Sequence, residues 1–320
     1  MPPSLGNALA AWCDRHALDA QEGFIGVAFS GGADSTALLL TAQIRWPGRV
    51  MALHVHHGLQ AAADQFEQHA QTFCDAHRIP FHGRRVDARH APGQSPEDAA
   101  RDARYLTLAD LATDAGVAWV LLAQHADDQA ETVLLALSRG AGLPGLAAMP
   151  DAFERHGVRF GRPWLGVPAQ ALRNALMQGG HAFIDDPTNA DQRFTRNRIR
   201  ATLLPAWQQA FPGFREALAR SAAHAAQGQR LLDELAAIDL AQTGEPPAID
   251  MLRALGRDRQ ANALRHWLRR REAVAPSTAQ LDELLDQIDA CRTRGHRIHI
   301  KVAAGFVDRV GPRLTYVPSI

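Results

Sequence analysis

The chain has 320 residues, more than one ordinary compact core holds, so a large α/β domain with a smaller companion is the natural organisation. Lys plus Arg and Asp plus Glu both number 34, which excludes a globally basic surface and leaves any RNA contact to local patches. Cys13, Cys74 and Cys291 stand at unrelated spacings with no C-x-x-C pair, which argues against a disulfide framework and for a reducing, cytoplasmic compartment. No apolar run approaches a membrane span, and Asp14 and Arg15 interrupt the N-terminal segment where a signal peptide needs apolar residues.

In chain order, the first informative element is Phe24 to Phe29, with the length and content of a buried strand, followed by Ser30, Gly31, Gly32, Ala33, Asp34 and Ser35. The glycines let backbone N–H groups approach an anion, and the helix from about Asp34 to Ile44 aims its dipole at the same point. Ser30 and Ser35 can donate to phosphate oxygens, and Asp34 suits Mg²⁺. Neither the Walker lysine nor Gly-x-Gly-x-x-Gly is present. A plain β-turn-α junction, with Asp34 capping the helix, would use the same residues.

Further strand-like runs at 50–55, 80–86 and 117–123 alternate with helical stretches near 60–78, 96–115 and 127–138, the rhythm of a doubly wound parallel sheet. Ser95 is the expected N-cap of the third helix, with Pro96 at its first position. The strand ends deliver Ser30, His54 to Gly58, and Gln124 to Asp128 to one sheet edge, where open α/β sheets bind ligands. His54, His56 and His57 invite a metal reading, but His54 and His56 alternate across the strand and no Cys or acid stands at zinc-ligand spacing. Packing near a nucleotide is the expected role of His54.

Asp128 and Glu131 are three apart, so both carboxylates leave one helical face, able to orient Mg²⁺ or bind an amine. Dipole compensation in a first helical turn would account for such acids taken alone, but beside the glycine loop at the same sheet edge the functional reading is favoured. Arg101, Arg104 and Tyr105 offer phosphate or nucleotide contact, or an ordinary solvated face. Beyond the glycine- and proline-rich stretch 140–150 the βα rhythm is lost. Asp185 to Asn189 reads as a turn, and a helix through Thr195 to Arg200 would set Arg196 and Arg200 on one face for acid or phosphate pairing. From about 214 the chain is mainly helical, with a domain boundary placed near 213. In 258–271, Leu264, Trp267 and Leu268 take core spacing while Arg265, Arg269 and Arg270 turn elsewhere; in 297–302, Ile298, Ile300 and Val302 alternate with Arg297, His299 and Lys301.

Ser30-Gly-Gly-Ala-Asp-Ser35 resembles the phosphate loop of the ATP pyrophosphatase superfamily (adenine nucleotide alpha hydrolase-like), whose members adenylate a substrate and release pyrophosphate. His54-Val-His-His-Gly-Leu59, Ala100-Arg-Asp-Ala-Arg-Tyr105, Asp127-Asp-Gln-Ala-Glu-Thr132, Arg139-Gly-Ala-Gly-Leu143, Arg162-Pro163, Asp186-Pro-Thr-Asn189 and Arg196-Asn-Arg-Ile-Arg200 narrow the resemblance to bacterial tRNA(Ile)-lysidine synthases over roughly the first 205 residues. That family likeness implies a catalytic domain over 1–213 and a mainly helical tRNA-positioning domain over 214–320. It implies ATP and Mg²⁺ on Ser30 to Ser35 with His54 nearby, the metal on Asp34, and Asp128, Glu131 and Arg196 in the lysine and catalytic site. Free lysine and an isoleucine tRNA are the implied substrates. ATP would adenylate the wobble cytidine and the lysine amine would displace AMP. Gln124 and Trp164 depart from the family's usual histidine and leucine, and Trp164 and Arg162 are candidates for stacking a displaced base. The end at residue 320 resembles the short family form. A tRNA thiolase would need reactive or cluster-binding cysteines, and an amidating ligase is disfavoured by the later motifs and the lack of a glutaminase partner domain; a non-catalytic nucleotide binder would bind ATP without tRNA-dependent pyrophosphate release.

Overall fold

The computed structural model describes residues 1–56, 63–86, 96–185, 191–293 and 295–319. His57, Gly58, Leu59, Ser95 and the Asp186-Pro187-Thr188-Asn189 part of the expected turn lie outside them. The described chain forms two compact units, Met1–Ala223 and His224–Ile320.

In the first unit β1 (Phe24–Ala28), α2 (Ala33–Arg45), β2 (Val50–His56), α3 (Ala63–His77), β3 (Phe81–Arg85), α4 (Pro96–Asp114), β4 (Val117–Leu121) and α5 (Ala126–Ser138) alternate along the chain, preceded by α1 (Pro3–His16). The first four strands run parallel in the spatial order β3-β2-β1-β4. This order reverses at β1, so the crevice beside the ends of β1 and β4 is where a ligand binds in such a sheet. Apolar residues on both faces explain the near-continuous hydrophobic runs of β1 and β4. One face packs Leu38, Leu39 and Ala42 of α2 with Ala70 and Phe73 of α3 and Trp12 of α1. The other packs Met51 and Leu53 under Tyr105, Leu108 and Ala112 of α4.

Beyond α5 the sheet continues rather than ending. After a short helix α6 (Leu143–Leu146), β5 (Ala152–Arg155) and β6 (Val158–Gly161) form an antiparallel hairpin, and β6 pairs parallel with β4. The sheet is therefore six-stranded, order β3-β2-β1-β4-β6-β5, with an antiparallel edge strand that the βα rhythm does not foresee. His156 and Gly157 both take positive φ (51° and 74°), the backbone of a tight two-residue hairpin turn. Then follow α7 (Ala169–Gln178), α8 (Thr195–Arg198), a π-helical turn at Ile199–Leu203, and α9 (Leu204–Ala210). Pro205 has no N–H to give the carbonyl of Ala201, which accounts for the widened turn just before it.

Helix α10 (Phe214–Thr243) starts in the first unit and ends in the second. The second unit packs α11 (Ile249–Arg253), α12 (Arg257–Glu272) and α13 (Thr278–Ala290) with an antiparallel sheet of β7 (His299–Val302), β8 (Gly305–Val310) and β9 (Arg313–Pro318). Leu264, Trp267 and Leu268 are buried as their spacing demands, and Ile298 and Val302 turn inward while Arg297, His299 and Lys301 stay exposed. Among the described residues no helix is long and apolar enough to cross a membrane.

Candidate active site

The loop after β1 makes the floor of the site. Gly31 takes φ +82°, a conformation that a side chain would strain, and Gly32 precedes the first turn of α2 in extended geometry. Ser35 Oγ donates to the Gly32 carbonyl (3.0 Å) and lies 3.1 Å from Ser30 Oγ, so the two hydroxyls brace one tight turn. The Ile184 N–H donates to the Gly31 carbonyl (2.9 Å), fixing the loop from outside. Ala33 is buried and contributes only its place at the helix start.

A cleft of about 430 Å³ opens beside this loop. Phe29, Ser30, Gly32, Asp34 and Ser35 form one end of it, Leu53, Val55, Tyr105, Leu108 and Leu122 its apolar walls, and Arg104, Gln124 and Asp128 its polar rim. An apolar slot leading to a glycine loop at a helix N-terminus suits a nucleotide, base first and phosphates last. His54 does not line it. Strand parity sends Leu53 and Val55 to the cleft and His54 to the opposite face, where its Nδ1–H donates to the Phe29 carbonyl (2.8 Å). Burial pushes this imidazole below its usual pKa. His54 therefore supports the loop from behind rather than touching the cleft.

Helix α5 brings the acids. His125 is its N-cap: the Asp128 N–H donates to His125 Nδ1 (3.4 Å) and the His125 N–H to Asp128 Oδ2 (3.1 Å). His125 Nε2 lies 3.5 Å from both Asp34 Oδ2 and Asp128 Oδ2, joining the phosphate loop to the acid cluster. Burial alone would lower the His125 pKa, but the hydrogen bond with Asp34 and the charges of Asp128 and Asp34 hold it above the ordinary value. The neutral ring caps the helix while the acids favour the protonated one, so two demands meet on one side chain.

Glu131 is fully buried, with Oε1 accepting from Arg200 Nε (2.8 Å) and Oε2 facing Arg196 Nη1 at 3.9 Å. Burial raises its pKa above the usual carboxylate range, Arg200 opposes the rise, and Asp128 adds to it. Arg200 also reaches Asp128 Oδ1 (3.3 Å) from the π-helical turn, so it joins the two acids more closely than Arg196 does. The expected acids and Arg196 thus do come together, and His125 and Arg200 join them. A cap spacing, with His125 three residues before Asp128, was the legible signal for the first; Arg200 was visible as the face-mate of Arg196.

Other candidates have structural duties. Asp127, beside Asp128, accepts from Arg215 (2.6 Å) and from the Ala169 N–H (2.9 Å). Arg162 is buried, donating to Gln124 Oε1, the Pro150 carbonyl and the Tyr105 hydroxyl, and Trp164 is wholly buried. Neither can stack a displaced base in this arrangement. The family departure at Gln124 is absorbed as an acceptor for Arg162. No acid stands at zinc-ligand spacing along the sequence, but in the fold Asp64 and Glu67 of α3 bring ligating atoms within 4.8 Å of His56 and of each other. Arg85 bridges both carboxylates, at 2.8 and 2.7 Å, and supplies the positive charge there.

Sheet order, glycine loop and cleft define a PP-loop ATP-binding protein. Residues 8–207 match the PP-loop domain family and 248–314 the TilS substrate binding domain. The chain is 61% identical over 292 residues to the tRNA(Ile)-lysidine synthase of Polaromonas naphthalenivorans (strain CJ2), covering 91% of this chain and 89% of that protein. It is 42% identical to the one of Bordetella parapertussis (94% and 90% covered). Against that of Burkholderia pseudomallei (strain K96243), identity is 46%, with 84% of this chain covered but only 56% of that longer protein. The chain belongs to the tRNA(Ile)-lysidine synthase family. A U34-tRNA thiolase from Methanococcus maripaludis shares its fold (TM-score 0.58, 13% identity, 69% and 78% covered).

Proposed function

We infer that this chain joins free lysine to the wobble cytidine of an isoleucine tRNA, using ATP and releasing AMP and pyrophosphate through an adenylated cytidine. The observation that carries the reading is the His125 link between Asp34 of the phosphate loop and Asp128 of the acid cluster, which sets activation and amine transfer side by side.

The apolar slot holds the adenine, and Ser30 to Ser35 hold the phosphates. Asp34 Oδ1 is buried with no hydrogen-bond partner among the described residues, which fits a metal ligand, so Asp34 would hold Mg²⁺. When bound, the ion offsets charge building on pyrophosphate. Loop N–H groups and the α2 dipole act on the same charge without reorganising.

The second step needs a neutral lysine amine. The amine nitrogen bonds to C2 of the cytidine, the bond from C2 to the adenylate oxygen breaks, and the amine proton leaves to a carboxylate. Glu131, whose pKa burial raises, is matched to accepting that proton, and Asp128 to orienting the ammonium beforehand. Arg196, beside Glu131, keeps the cluster from carrying uncompensated negative charge.

Residues 1–213 carry this chemistry and 214–320 position the tRNA, in the cytoplasm where tRNA and ATP are both at hand. A thiolase reading is disfavoured because burial pushes the Cys13 and Cys74 thiols up to about 12, far from nucleophilic. The deciding experiment incubates the protein with ATP, labelled lysine and an isoleucine tRNA transcript. Label in the RNA and stoichiometric pyrophosphate support the reading. ATP binding without tRNA-dependent pyrophosphate release would make the chain a nucleotide binder only.

A further inference from the structure

His69 on α3 has no part in the scheme above. Its Nε2 is buried with no hydrogen-bond partner among the described residues. Its Cδ2, bonded to that nitrogen, lies 3.3 Å from where a Cβ on Gly31 would stand. The ring thus rests on the phosphate loop at the residue whose positive φ and missing side chain permit the approach. A buried polar atom without a partner costs roughly 1–3 kcal/mol; Trp119 and Gln260 elsewhere carry that cost too, and His69 and Asp34 are the two side chains that carry it at the phosphate loop among the described residues. Within the loop, Asp34 Oδ1 is orphaned in the same way.

Topology says what that ligand is. The walls of the nucleotide slot, Leu53, Tyr105 and Leu108, belong to the α4 face of the sheet, whereas α2 and the α3 residues Ala70 and Phe73 beside His69 belong to the other. A nucleotide with its base in the slot must carry its phosphates over the sheet edge toward the start of α2. His69 stands on the phosphate side of that path.

We propose that His69 donates a hydrogen bond from Nε2 to the pyrophosphate moiety of ATP, as a third point of phosphate contact beside the loop amides and the Ser30–Ser35 pair. The proposal rests on the ATP-dependent reading of this cleft. The imidazole holds the leaving pyrophosphate and touches neither lysine nor tRNA.

Inorganic pyrophosphate is the probe, titrated calorimetrically into the full chain. His69→Leu keeps bulk and removes the donor; His69→Gln returns an amide N–H near the same place. Pyrophosphate should bind His69→Leu on the order of 10- to 100-fold more weakly, the effect of losing a hydrogen bond to a charged group, and His69→Gln should recover most of the loss. The lysine KM should not move. Equal pyrophosphate affinity in wild type and a folded His69→Leu overturns the proposal. Should His69→Leu fail to fold, the ring ¹⁵N signal of His69 in the wild-type protein decides: a shift on adding pyrophosphate supports the contact, and an unmoved signal at saturation overturns it. No pyrophosphate or ATP binding by the wild type would instead defeat the functional reading itself.

Discussion

Two helices start at the same sheet edge, α2 after Gly32 and α5 after His125, and both place acids in their first turns. Beside the start of α2, Ser30, Ser35 and Thr36 are hydrogen-bonded, but among the described residues Asp34 Oδ1 and the neighbouring His69 Nε2 have no partner. Around α5 the chain brings its own cations, Arg215 to Asp127 and Arg200 to Asp128 and Glu131, although Glu131 Oε2 is left without a hydrogen bond among the described residues, with Arg196 at 3.9 Å. On the proposed reading, the difference separates a surface prepared for a polyanion and its metal from one prepared for a cationic amine. Acids facing phosphate must be left open to a cation that arrives with it, whereas acids awaiting an amine must meanwhile be kept from repelling one another.

Glu131→Gln and Asp128→Asn test the amine side hardest. Both keep shape and lose charge, so single-turnover lysine transfer at saturating lysine should fall by about 10²- to 10⁴-fold, the range for losing a positioned acid or base. Normal transfer in both variants would move the amine site elsewhere. On the phosphate side, Asp34→Asn should cut tRNA-dependent pyrophosphate release by about 10²- to 10³-fold, as removing one preorganised stabilising group does, with tRNA binding nearly intact. Release at the wild-type rate would remove Asp34 from the loop chemistry.

The sequence made the glycine turn between a buried strand and a helix legible, because that pattern is local. It carried the amine side less well. Asp127 and Asp128 are indistinguishable as letters, and what separates them is Arg215, 88 residues away, and Arg200, 72 away. Trp164 and Arg162 looked available to a nucleobase only because burial is not written at a single position. The β5–β6 hairpin had its signal, two short strands split by His156-Gly157, but the expected βα rhythm hid it. His54 failed as a cleft residue by parity alone, a matter of which strand face meets α4.

Asp127→Asn sharpens the contrast within α5 itself. The pair with Arg215 is mostly but not wholly buried, so its loss should cost about 2 kcal/mol, below the roughly 3–5 of a fully buried pair. Burial pushes the Asp127 carboxyl up, yet the Arg215 and Ala169 hydrogen bonds hold it below the ordinary value of 3.8. A carboxyl lowered by folding stabilises fully above its unfolded pKa and loses that contribution as pH falls through the folded one. Denaturant titrations should therefore show the variant's deficit at pH 7 shrinking below about pH 4. A deficit that persists unchanged in acid would make the role one of packing.

The smallest expected effect lies in the second unit, where the basic side chains of α12 divide in the same way. Arg257, Arg259 and Arg271 are taken up by Asp286, Asp239 and Glu245, whereas Arg269 and Arg270, with Arg297 and Lys301 near and on β7, stand exposed. Paired arginines hold the unit together; exposed ones can neutralise phosphates. Phosphate contacts set register and supply salt-sensitive affinity without doing chemistry. Replacing Arg269, Arg270, Arg297 and Lys301 together with alanine should weaken tRNA binding and reduce the log–log salt slope by roughly 0.7 to 0.9 for each phosphate no longer neutralised, with ATP affinity unchanged. A folded quadruple variant with wild-type tRNA affinity and slope would remove these faces from tRNA positioning. The same substitution of Arg257 and Arg271 should lower the melting temperature instead and leave the slope alone, because their charge is already matched within the fold.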